Sequence, residues 1–110
     1  MKTLVLSLVV LGAVISFAPL TAAQTAEIQL NDNVRPASQL QGNTLTLHLY
    51  AGTGAWRPNG AKGSPIEIAA FGEDGVGLSA PGPLIRARAG TNVALSLRNT
   101  LGSDLQVFGL

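Results

Sequence analysis

Alternation of apolar and polar residues is strictest at Asn43–Tyr50, where Leu45, Leu47 and Leu49 fall on one side and Thr44, Thr46, His48 and Tyr50 on the other. A period of two marks a half-buried β-strand, because successive side chains leave a pleated strand on opposite faces. The same period returns in Val93–Arg98, with Val93, Leu95 and Leu97 inward. Apolar stretches at Ile66–Phe71, Leu84–Ala89 and Leu105–Leu110 read as further strands, and Ala26, Ile28 and Leu30 make weaker strand material within Gln24–Asn31. No segment carries helical spacing between capping residues. Five short strands joined by Gly- and Pro-rich connections predict an all-β chain folded as an antiparallel β-sandwich.

The connections fit that pattern. Asn31–Asn43 is rich in Asn, Gln, Ser and Pro, and Arg35-Pro36 disfavours helix. Ala51–Pro65 reads as a long glycine-rich loop around Trp56, Gly72–Gly75 as a turn, and Leu78–Gly82 as another loop.

The first residues follow a different rule. Met1-Lys2-Thr3 is a short basic start, Leu4–Ala18 is almost wholly apolar, and Thr21-Ala22-Ala23 offers small residues where a signal peptidase cuts. This predicts a signal peptide over 1–23 and a secreted or periplasmic mature chain. The alternative is a retained anchor, but the apolar run falls short of the ~20 residues of a spanning helix and no second run follows, so no membrane span is expected after cleavage. Residues 24–43 then form an N-terminal extension and connector, and 44–110 a single partial domain.

Without Lys2 the chain holds six basic and six acidic residues with no basic cluster, which argues against a nucleic-acid partner. Cysteine is absent, so disulfides cannot staple this small domain. A blue-copper centre is excluded as well, because it needs a Cys thiolate and two histidines, while His48 is the sole histidine.

A more specific signal begins at Pro81. The run PGPLIRARAGTNVALSLRNTL (Pro81–Leu101) resembles the first plastocyanin-like (cupredoxin) domain of bacterial multicopper oxidases, the laccase-like enzymes. Asn31-Asp32-Asn33, the Leu45–Leu49 strand, Trp56-Arg57-Pro58 with Gly60, and Ala70-Phe71-Gly72-Glu73 extend the likeness across 31–110. The resemblance implies a Greek-key sandwich, a copper-dependent oxidoreductase as parent protein, and the remaining cupredoxin domains of that protein as partners. In the family the next strand carries His-x-His, two imidazoles on one strand face. Here Gln106 and Phe108 occupy those positions. Phe108 has no lone pair, and the Gln106 amide is a poor donor to copper beside an imidazole. The expected role is therefore scaffold, with no catalytic residue and no bound copper in this segment. A copper-free cupredoxin-like structural or protein-interaction module is the rival reading.

The ending Val107-Phe108-Gly109-Leu110 is an apolar strand without a turn or polar tail, so the domain is expected to be incomplete at its C-terminus and to belong to a longer protein. His48 reads as a surface or partly buried structural histidine. Trp56 reads as a plug at one end of the sandwich, with ligand stacking as the alternative. Glu73 and Asp74 read as solvated turn carboxylates. Arg86 is expected to reach a neighbouring domain or a turn carboxylate.

Overall fold

Leu45, Leu47 and Leu49 lie in a strand that continues well past them, to Trp56. The computed structural model describes residues 12–19 and 25–109. Most of the expected signal peptide (1–11 and 20–23, with the cleavage site at Ala23) lies outside the described residues, and residues 12–19 are exposed without regular structure. Among the described residues there is no helix, and therefore none long and apolar enough to cross a membrane. The strands are β1 (Gln29–Leu30), β2 (Leu40–Gln41), β3 (Thr44–Trp56), β4 (Ile66–Glu73), β5 (Gly77–Ala80) and β6 (Asn92–Asn99).

They form one sheet in the order β1-β5-β4-β3-β2, with β6 also paired to β3. β2 and β3 make a tight hairpin in which Gly42, at φ 60°, supplies the left-handed conformation such turns demand. β3, β4 and β5 continue as an antiparallel meander. β1 joins β5 in parallel, and β6 runs parallel to the first half of β3, with Leu45 beside Val93 and Leu47 beside Leu95. The sheet is thus mixed, which corrects the purely antiparallel expectation while keeping the all-β class.

Curling comes from the residues just before β1. The Ala55 carbonyl accepts from Ile28 N–H at 2.9 Å, and its N–H donates to the Ala26 carbonyl at 2.8 Å. Residues 26–30 therefore tie the end of β3 to β5 and bend the sheet into a half-barrel. Contact at the seam is close: a methyl group on Gly54 would lie 2.7 Å from the Ala26 carbonyl oxygen and 2.9 Å from Ile28. That crowding explains glycine in the middle of a strand.

Leu45, Leu47, Leu49 and Ala37 form an apolar cluster packed against Leu95 and Leu97, with Leu47 fully buried. Burying a leucine side chain stabilises by about 1.5–3 kcal/mol. Inside the curl, Ile28 and Leu78 are buried beside Gly54, while Ala51 and Ala55, also buried, lie on the other face of β3. The segment 24–43, read as an extension and connector, thus contributes Ile28 and Ala37 to the interior.

Two expected strands are not formed. Residues 84–89 make one isolated bridge, Leu84 to Pro36, and Pro36 has no N–H with which to extend a ladder. Residues 105–109 have no strand partner among the described residues, and Gly109 takes φ 83°, outside the extended region. Leu110 lies outside the described residues.

Candidate functional site

Pairing β6 with β3 builds a two-faced surface. On the polar face the register sets His48 beside Ser96, and the imidazole Nδ1 lies 2.8 Å from the Ser96 hydroxyl. Two residues on, the Arg98 guanidinium sits 5.1 Å from the Tyr50 ring centroid and donates to Asp74 at 2.8 Å. The Asp74 N–H, in turn, donates to the His48 carbonyl at 2.9 Å, which fixes the turn after β4 against β3.

Serine, histidine and aspartate thus gather in one neighbourhood, and sequence reading missed the serine because 48 positions separate it from His48. The arrangement lacks the chemistry of a nucleophilic triad. Its aspartate is engaged by Arg98, and among the described residues no carboxylate hydrogen-bonds the imidazole to hold it as a base. His48 itself is exposed. A hydrogen-bonded histidine on a solvated strand face holds neighbouring strands in register.

Glu73 and Asp74 are more engaged than solvated turn residues. Glu73 accepts from the Ser38 N–H at 2.8 Å, and Ser38 also donates through its hydroxyl to the Thr46 carbonyl. The turn carboxylate Asp74 is taken by Arg98, whereas Arg86 and Arg88 are exposed and make no ion pair among the described residues. Trp56 ends β3 half-buried, beside a cleft of about 550 Å³ that Ile28, Leu30 and Pro58 also line. Arg57 borders the same cleft, held by Glu27 at 3.3 Å and by the Gly63 carbonyl at 2.8 Å.

Gln106 and Phe108 follow β6 in exposed, irregular chain, with Phe108 85% exposed. Without a strand, the rule that puts i and i+2 on one face does not operate there. No three His, Cys, Asp or Glu side chains come together among the described residues. The side chains of Gln106 and Phe108, one amide and one hydrocarbon ring, do not fit copper.

The opposite face is apolar. Leu47, Ile85, Val93 and Leu95 line a groove of about 540 Å³, and although Leu47 is buried, Ile85 and Val93 remain 44% and 50% exposed. The segment 84–89 covers this face only in part. Comparison with protein-family models, with curated proteins and with solved structures finds no match for this chain.

Proposed function

We propose that this chain is the N-terminal plastocyanin-like segment of a secreted multicopper-oxidase-like protein, acting as scaffold in a copper-dependent oxidoreductase whose ligands come from other domains. The observation that carries the scaffold role is the half-covered apolar face of β3 and β6. A Greek-key sandwich would place its second layer over that face, and the Leu47–Leu95 groove would become its interior. The all-β sheet is compatible with such a sandwich, and the Pro81–Leu101 run supports the family reading.

The side chains at 106 and 108 favour a second reading, a copper-free cupredoxin-like module that packs against another protein. The two differ in the native product. An antibody raised against the exposed 32–36 segment, used to isolate that product from the secreted fraction, should recover a protein much larger than the 11.3 kDa of this chain. It should carry copper and oxidise a phenolic substrate. A large protein without copper would favour the structural module, and a copper-free product of the chain's own mass would sink the oxidase reading.

A further inference from the structure

Among the described residues, β6 pairs with β3 and with no other strand, so its outer edge is open. Two hydrogen bonds show which backbone groups face that edge. Asn92 N–H donates to the Asn43 carbonyl and Thr100 N–H to the Ala51 carbonyl, each at 2.9 Å. Backbone groups alternate sides along a strand, so the even positions from 92 to 100 face β3. The N–H and C=O groups of Val93, Leu95 and Leu97 consequently face outward.

Edges of this length are ordinarily blunted by a proline, a bulge or a charge near the edge. β6 contains neither proline nor lysine. Its single charge, Arg98, reaches inward across the sheet to Tyr50 and Asp74. Nothing on the strand opposes addition of another.

We infer that a second copy of this chain docks there, β6 against β6, antiparallel about a twofold axis through Leu95. The occupant follows from the strand's symmetry. Centred on Leu95, the pairing sets Leu95 opposite Leu95, Val93 opposite Leu97, Ala94 opposite Ser96 and Asn92 opposite Arg98. Apolar residues meet apolar ones, small meets small, and no like charges are opposed. The same register brings together the outward-facing backbone groups of 93, 95 and 97, giving about six interchain hydrogen bonds. A slip of one residue would set outward groups against inward ones and leucines against the polar face.

An isologous contact of this kind closes on itself and stops at two copies. One strand edge buries less than the ~1,200 Å² of a standard interface, so the dimer dissociates on dilution. Edge pairing leaves the apolar face free for a second layer. The inference is therefore independent of the copper reading and compatible with it.

The test is sedimentation equilibrium of the purified chain over a dilution series, beside Val93→Pro and Val93→Lys. Because the Val93 N–H points outward, proline there removes an edge donor without breaking a bond to β3. The expected result is a wild-type mass twice that of either variant at high concentration, falling to the variant mass on dilution, with unchanged far-UV circular dichroism. If Val93→Pro loses structure, Val93→Lys keeps the backbone donor and decides through charge alone. A wild-type chain that stays monomeric, forms polydisperse aggregate, or dimerises equally well as Val93→Lys overturns the inference. Each of those results leaves the scaffold reading to the mass and copper content of the native protein.

Discussion

A methyl group added at Gly54 would be driven into the seam that curls the sheet. Its Cβ would stand 2.7 Å from the Ala26 carbonyl oxygen, 2.9 Å from Ile28 and 3.2 Å from Leu78. The nearest of these atoms is backbone, which cannot swing aside as a long side chain can. Relief needs residues 26–28 to move away from β3, which stretches the two hydrogen bonds between Ala55 and its neighbours Ala26 and Ile28. Overpacking of this kind costs about 1–3 kcal/mol. Alanine recovers about 0.4–1 kcal/mol by restricting the unfolded chain. The net loss is about 1–2 kcal/mol, concentrated at the seam, which raises local opening roughly 5- to 30-fold. Hydrogen-exchange mass spectrometry of Gly54→Ala should show that loss of protection in peptides covering 26–30 and 53–56, while peptides within 92–99 exchange as in the wild type. Gly102→Ala is the control, because a methyl group there meets nothing within 4 Å and its φ is not positive. If Gly54→Ala exchanged like Gly102→Ala at the seam, the closure described here would be wrong.

Three further outcomes are expected. Leu47→Ala should destabilise the chain by about 2–5 kcal/mol, read as a lower urea midpoint, because Leu47 is the fully buried side chain between β3 and β6; a shift below about 1 kcal/mol would contradict its central place. Arg98→Ala should cost about 1 kcal/mol or less, since the ion pair to Asp74 is half exposed and the stacking on Tyr50 is modest, and raising salt should narrow the gap from wild type. Gly42→Ala should lower thermal stability by about 1–2 kcal/mol through its left-handed φ rather than through a clash, because nothing lies within 4 Å of the added methyl; an unchanged melting temperature would count against the tight β2–β3 hairpin.

Strand positions were legible where side chains are large. The leucines of 45–49 and the Val93–Leu97 alternation marked β3 and β6, and Ile66–Phe71 marked β4. The continuation of β3 through Ala51, Gly52, Thr53, Gly54 and Ala55 was not legible, because small residues imitate a loop. Gly52 and Gly54 lack side chains where Leu78, and at Gly54 also Ala26 and Ile28, press close, a constraint that arises only after distant segments meet. β5 was hidden in the same way: Gly77 and Ser79 look like turn residues, yet Leu78 is buried inside the curl. Leu84–Ala89 has strand composition but meets Pro36, and composition cannot reveal a partner that lacks an N–H. On the candidate site, alternation placed His48 on the polar face and beside Thr46 and Tyr50. It could not find Ser96 or the Arg98–Asp74 pair, since parallel pairing of β3 with β6 joins residues that no local pattern links.

That parallel pairing also sets the order in which the chain can fold as it is made. The β2–β3 hairpin and the β3–β4–β5 meander use near neighbours and can assemble soon after they emerge. β6 cannot, because His48 waits for Ser96, 48 positions later. Until then Leu45, Leu47 and Leu49 show an uncovered apolar face on one side of a half-finished sheet. Delay in supplying residues 92–99 is therefore the step at which a nascent chain is most exposed to aggregation.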